Sequence, residues 1–372
     1  MKTETWPQYH ERLYRKLRRK QRLKAYGATL GSVAALSGVG GRLYTGDFLF
    51  APKMVHERIF HGSAPKVPKA EFERVRRILS RPQNPELTRI EKRDNNGPPI
   101  SQSEFHKFFA KEATKHGFHL GDTPVYDKKI QDAKTIDDVL KATNELTKQY
   151  GLSVSMPTDA GIQEIGLGVH TVNRSTIDFK SVKKSAQSVI WGLELIPLEL
   201  APRIKLHGLK IVEGVHPWGI LGGSRDTAGV FSPYNFDIYL DEAGKDTTSY
   251  DVEHEIGHRI DMVTSGMYGM LHDPGFSALN PHGFKYGDKT PAYYKSGTLD
   301  RPYDQPNQSL VDPYGASNVA EDKATYFSFI FSPWAEGRRG PAVRDKTAYL
   351  VARMDKLLPG YAEFYSDISF KR

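Results

Sequence analysis

The chain has 372 residues, 38% hydrophobic and 26% charged, with a formal net charge of +8, which is long enough for two domains or for one domain with sizeable extensions. It contains no cysteine, which excludes a disulfide framework, a thiol nucleophile and any thiolate-bound metal. A metal ion here must be held by histidines and carboxylates.

The charge is concentrated at one end. Residues 1–25 hold nine cationic side chains (Lys2, Arg12, Arg15, Lys16, Arg18, Arg19, Lys20, Arg22 and Lys24) against Glu4 and Glu11, a local +7. Subtracted from +8, this leaves about +1 for all the other residues, which argues against a general basic groove for nucleic acid. Trp6, Tyr9, Leu13 and Leu17 share one face of a possible helix whose other sides are basic, a pattern suited to an anionic membrane surface. The uncharged run from Tyr26 to Gly41 is too short and too rich in glycine for a transmembrane span. The Arg18-Arg19 pair does not make a twin-arginine signal, because Gln21 and Arg22 stand where apolar residues belong. Residues 1–45 are therefore read as a basic arm with a short apolar stretch, a targeting or membrane-associated segment, against the plainer alternative of a solvated arm. That segment favours a secreted or membrane-associated setting over the cytoplasm.

Residues 46–180 read as a mainly helical accessory region. Phe72, Val75, Ile78 and Leu79 have helical spacing, and Pro82 ends that segment. The polar stretch from Gln83 to Pro99, with Asn-Asn-Gly-Pro-Pro at its end, reads as a loop or boundary. Ser101 followed by Glu104 is a capping box for a helix carrying Phe105, Phe108 and Phe109, which suit a core better than a binding stripe. Thr135 with Asp138 opens another helix, with Val139, Leu146 and Tyr150 inward and Gly151 as its stop. His106, His116, His119 and His170 read as ordinary surface or core histidines.

From Ser181 the pattern changes, and residues 181–372 read as a catalytic domain. Val189, Ile190, Leu193 and Leu195 predict an apolar helix closed by Pro197. Segments 206–212 and 236–240 predict strands, with Gly229-Val230-Phe231 as an edge segment. An edge strand can pair with an extended peptide by strand addition. Next comes Ser249-Tyr-Asp-Val-Glu-His-Glu-Ile-Gly-His-Arg-Ile-Asp-Met262. His254 and His258, four residues apart on a helix, stand one turn above each other and can reach one metal ion. Glu255 flanks that metal, placed to act as a base on water rather than to bind the ion. Val252, Ile256 and Ile260 are expected to face the core, and Glu253, Arg259 and Asp261 are not. Gly257 leaves room for a close approach to the metal face.

Such a pair needs a third ligand. Thr264 stands where the three-histidine arrangement requires histidine, so that arrangement is rejected. The best remaining candidate is Glu321, on a predicted helix capped by Asn318 with Phe327, Ile330 and Phe331 at helical spacing. The segment between His258 and Glu321 is rich in Gly, Pro and Tyr and could form a cleft wall. His272 and His282 within it read as loop histidines.

His254-Glu255-x-x-His258 together with Tyr314-Gly-Ala-Ser-Asn-Val-Ala-Glu321-Asp322 resembles the gluzincin zinc peptidases, the thermolysin-like clan, in the branch related to the anthrax lethal factor peptidase domain. The resemblance covers about residues 181–340, roughly half the chain. It implies an α+β, zincin-like catalytic domain with a small mixed sheet, an edge strand, an active-site helix and a mostly helical remainder. It further implies one zinc ion per chain on His254, His258 and Glu321, with Glu255 as general base and Tyr314, seven residues before the ligand glutamate, as oxyanion donor. The implied substrate is a protein or peptide. One departure is Thr325, where the family carries a carboxylate that orients a zinc histidine; Asp322 or Asp261 could take that part. Two other readings remain open from the residues: a catalytically silent zinc-stabilised binding protein, and a membrane or nucleic-acid binder with a basic arm and a chance motif.

Overall fold

The computed structural model describes residues 66–96, 101–156, 161–166, 169–173, 178–212, 214–217, 229–232, 236–241, 248–286, 309–311, 315, 318–332 and 340–370. The basic arm lies outside them, as does Tyr314. Among the described residues five helices come first: α1 (Lys69–Leu79), α2 (Pro85–Asn96), α3 (Gln102–Lys115), α4 (Thr123–Asp132) and α5 (Ile136–Thr147). Both predicted capping boxes form, at Ser101 with Glu104 and at Thr135 with Asp138. Gly151 adopts a left-handed conformation (φ 71°) after the short 3₁₀ turn Lys148–Tyr150 and closes that region.

The polar stretch 83–99 is a correction, because α2 occupies most of it. Asn84 Oδ1 accepts the Glu86 backbone N–H at 2.9 Å, Pro85 supplies the fixed φ suited to a first helical residue, and Leu87 is buried. Two apolar residues on a polar helix are too few to announce it by periodicity. Helix α4 was also not anticipated; its start is marked by Asp122-Thr123-Pro124.

Next in the chain are strands β1 (Ser153–Ser155), β2 (Gly161–Gly166) and β3 (Val169–Asn173), helices α6 (Phe179–Gly192) and α7 (Leu200–Ile204), then β4 (Gly208–Val212), β5 (Gly214–Pro217), β6 (Gly229–Phe231) and β7 (Asp237–Asp241). One sheet has the order β1-β4-β7-β6, with β1, β4 and β7 parallel and β6 antiparallel at the edge. A second, antiparallel sheet has the order β2-β3-β5. Strands β1, β2, β3 and β5 are too short and too polar to be read from alternation. The apolar helix before Pro197 ends sooner than its sequence suggested, at Gly192, where a Cβ would come within 2.7 Å of the Val252 side chain.

The chain finishes with α8 (Ser249–Leu271), the short α9 (Pro274–Ser277), α10 (Val319–Phe331), α11 (Pro341–Leu357) and α12 (Tyr361–Ile368). Helix α8 is interrupted at Gly266, whose backbone (φ 71°, ψ 168°) is not helical. The molecule is thus α+β, with helices around a small mixed sheet. Its most extensive helix contact is α8 on α10, and α8 also packs on α6 and β6. Buried side chains form a continuous cluster from Val75 to Ile368 that crosses position 180. Helix α1 packs on α11 and α12, where Arg76 Nε meets Asp345 at 2.9 Å. The accessory helices therefore share their core with the C-terminal helices.

Candidate metal centre

Helix α8 is buried on more than one side. Val252, Ile256 and Ile260 are in the core as predicted, yet Glu253, Arg259 and Asp261, expected to face outward, are buried too. Each of these polar groups has an internal partner, which is the condition for burying it. Both Glu253 oxygens accept from Ser332 Oγ, at 2.9 and 2.8 Å, and burial raises its carboxyl well above the ordinary range.

Gly257 explains how two helices can meet here. A Cβ at this position would lie 2.7 Å from Phe327 Cβ and 3.2 Å from Ala324 Cα, so only glycine lets α10 come this close. The approaching partner is the ligand-bearing helix itself. Phe327 is fully buried beneath the contact, and truncating such a phenylalanine to alanine typically costs about 3–5 kcal/mol.

Helix α10 begins at Asn318, whose Oδ1 accepts the N–H groups of Ala320 and Glu321 at 2.9 and 3.0 Å. The cap fixes Glu321 in the first turn. Its Oε2 lies 2.9 Å from His254 Nε2 and 3.5 Å from His258 Nε2, and the two imidazoles stand 4.8 Å apart between centroids at 84°. Ligand atoms on a tetrahedral zinc, at about 2.0–2.1 Å each, are separated by about 3.3–3.4 Å. The His258–Glu321 separation has that spacing, and the His254–Glu321 contact is a hydrogen bond shorter by a few tenths of an ångström. Two imidazoles and one carboxylate, converging from two rigid helices, fit a zinc ion.

Without metal, these groups are held together by charge. Burial works against the charged forms of His258 and Glu321, but their mutual attraction outweighs it. His258 is pushed up to about 9, and Glu321 is held well below the usual carboxylate range. Asp261 adds to the pull on His258. Burial also raises the Glu255 carboxyl, with the charges of His254 and His258 opposing the shift. Glu255 Oε2 accepts the Phe231 backbone N–H from the edge strand at 2.7 Å. Glu255 is therefore held against β6, within range of the charges of His254, His258 and Glu321.

Below the site lies a buried ionic network. Lys323 Nζ is 2.7 Å from Asp261 Oδ2, and Arg353 reaches Asp261 at 2.9 Å and Asp273 at 2.7 Å. Lys346 pairs with Asp322 at 2.6 Å, and Tyr286 Oη donates to the same Asp322 oxygen at 2.6 Å. These contacts tie α8, α10 and α11 to the segment after α8. The two carboxylates considered as supports for the zinc histidines thus direct these bonds into the network, and Thr325 Oγ1 turns back to the Glu321 carbonyl at 2.6 Å. Removing one member of such a buried pair leaves an uncompensated charge and typically costs about 3–5 kcal/mol. Sequence reasoning missed Lys346 and Arg353. Their signal was two cations seven residues apart on the apolar stripe of α11 that includes Val343 and Leu350.

Gly315, the residue after Tyr314, packs against Asp322: a Cβ there would lie 3.0 Å from Asp322 Oδ1 and 3.1 Å from its Cα. Among the described residues no helix is long and apolar enough to cross a membrane. No family model matches the chain, and neither a curated protein nor a solved structure matches it.

Proposed function

We propose that this protein is a zinc metallopeptidase of the gluzincin type, with a zincin-like arrangement of edge strand, active-site helix and ligand helix. The observation that carries the reading is the convergence of His254 Nε2, His258 Nε2 and the Glu321 carboxylate beside a buried Glu255 that is hydrogen-bonded to the edge strand. When bound, zinc supplies a Lewis acid and lowers the pKa of a coordinated water to about 7. Glu255 takes a proton from the attacking water and returns it to the leaving amine; its raised pKa suits both transfers. Strand β6 offers an antiparallel edge on which an extended substrate can lie. Tyr314, in the part given by the family resemblance, donates to the developing oxyanion, an effect of about 3 kcal/mol for a typical donor of this kind.

A library of diverse peptides, incubated with and without a chelator, tests the reading. Chelator-sensitive cleavage that Glu255→Gln lowers by on the order of 10²–10⁴-fold, with zinc content unchanged, is the expected result. Zinc binding without any cleavage by the wild-type protein would favour a silent, zinc-stabilised binding protein. Absence of zinc from carefully handled protein would remove the metal centre altogether.

A further inference from the structure

Arg259 follows the second ligand histidine and is buried, but its guanidinium makes no ion pair with a carboxylate among the described residues. Its contacts are of other kinds, one of them from Nη1 to Met262 Sδ at 3.7 Å. Nε donates to the Ile204 carbonyl at 2.5 Å and Nη2 to the Lys205 carbonyl at 3.4 Å, at the end of α7. Its planar face lies over aromatic rings, with Cζ 3.9 Å from the centroid of Phe236 and 5.8 Å from that of Phe231. A guanidinium on an aromatic face is attracted to the ring electrostatically, most strongly where water is excluded.

Both anchor points are conformationally unusual. Among the described residues, Lys205 and Phe236 are the two non-glycine residues with positive φ, at 50° and 61°. Such conformations are strained and persist only where the surroundings enforce them. Arg259 touches both, through the Lys205 carbonyl and the Phe236 ring. Phe236 is bonded back to the strand ends: its N–H donates to Ser232 O at 3.0 Å, and its carbonyl accepts His207 N–H at 3.1 Å. Phe231 is the last residue of β6, a strand of three residues paired with β7 on one side. A strand this short needs support beyond its ladder. Its outward N–H is the group that holds Glu255, and the strand lies so close that a Cβ at Gly229 would come within 3.3 Å of Glu255 Cγ.

We infer that Arg259 is a positioning residue for the general base: clamped to the end of α7, it fixes Phe231 and Phe236 so that the Phe231 N–H presents to Glu255. This inference rests on the peptidase reading for its kinetic consequence, but its structural content stands apart from it. Arg259 is not among the three groups that could hold the metal. Its loss therefore acts on the placement of the base, a rate effect, and leaves metal content alone.

The test compares Arg259→Met, Arg259→Lys and Phe236→Leu in the zinc-loaded full chain. Arg259→Met is expected to keep one zinc per chain and to lower kcat by roughly 10-fold or more, the scale of a small misplacement, with KM changed less than about 2-fold. Arg259→Lys, which keeps a cation for the carbonyls and rings, is expected to recover most of the loss. Amide hydrogen exchange across residues 229–232 is expected to rise in Arg259→Met. Unchanged exchange there, or a kcat equal to wild type, overturns the inference; so does a loss confined to KM or to zinc content. Phe236→Leu keeps the guanidinium and removes a ring it covers, so it carries the same test if Arg259→Met does not fold: its exchange at 229–232 must rise. If the wild-type protein cleaves no peptide, the peptidase reading fails, and the exchange measurement still decides the role of Arg259.

Discussion

Two clusters of metal-ligating side chains occur among the described residues, and they share a plan. His254, His258 and Glu321 form one; Glu112, His116 and Asp367 form the other. In each, a helix supplies two ligands four residues apart and a second helix supplies a carboxylate. They differ in what already balances the charge. In the second cluster Lys115 Nζ sits 2.8 Å from Asp367 Oδ2 and 3.2 Å from Glu112 Oε2, and His116 Nε2 is 2.8 Å from Asp367. The ammonium is the cation there. In the first cluster the Glu321 carboxylate is met by two imidazoles and, among the described residues, by no lysine or arginine; without metal its balancing charge is the His258 proton. Donor spacing is therefore not enough to define a metal centre; what matters is whether the balancing charge is a proton that a metal can displace or a lysine ammonium that stays.

The strongest way to break that distinction is to remove one carboxylate from each cluster. Glu321→Ala is expected to lower zinc affinity by on the order of 100-fold or more, since even the outer partners of zinc ligands are worth 10–100-fold. Asp367→Ala is expected to leave affinity and stoichiometry at the wild-type value. Competition against a chromophoric chelator measures both. Equal loss in the two variants, or loss only in Asp367→Ala, would invert the assignment.

A proton inventory sharpens the same contrast with a smaller effect. Without metal, His258 has a folded pKa of about 9 against about 6.5 in an unfolded chain. Its contribution to stability is fully present below about 6.5 and is lost as pH rises through 9. Glu321, shifted down, contributes above its unfolded value near 4.3 and loses that contribution as pH falls. The metal-free pair is thus most stabilising between these limits. A zinc ligand must be a neutral imidazole, so zinc uptake at pH 7 has to expel the His258 proton. Calorimetric titration in two buffers of different ionisation enthalpy is expected to report about one proton released per zinc, with affinity rising up to pH 9. No proton release would mean that His258 is already neutral and that the Glu321 contact is not an ion pair.

These features were unequally legible in the sequence. The convergence of His254, His258 and Glu321 could be read because each part carries a local signal: a fourfold spacing at 254 and 258, a capping asparagine at 318, and an apolar helical stripe behind Glu321. The capping boxes at Ser101 and Thr135 were legible for the same reason. The partners of Glu253, Arg259 and Asp261 were not, because a charged group whose serine, carbonyl or cationic partner lies 55 to 92 residues away looks like a solvated face until the helices are assembled. The edge-strand amide of Phe231 was invisible in another way, since a backbone N–H carries no residue code. Helix α2 was lost because its start rests on Asn84 and Pro85, residues equally at home in a turn.

The smallest expected effect belongs to the second cluster and tests whether it is merely a clasp between α3 and α12. Burial opposes the Asp367 carboxylate, and Lys115 and His116 outweigh it, lowering its pKa. A lowered carboxylate contributes stability above its unfolded pKa near 3.9 and loses it as pH falls through the folded value. Lys115 is 58% exposed and Asp367 29%, so solvent screens the pair and its worth is at most about 1 kcal/mol. Asp367→Asn is therefore expected to lower unfolding stability by that much or less at pH 7, and by less at pH 3, below the unfolded pKa, where the contribution of the lowered carboxylate has begun to be lost. Urea denaturation at the two pH values reads the difference. A larger cost at pH 7, reversed by added zinc in the wild type only, would show that an ion rather than Lys115 holds this corner, and the distinction between the two clusters would fall with it.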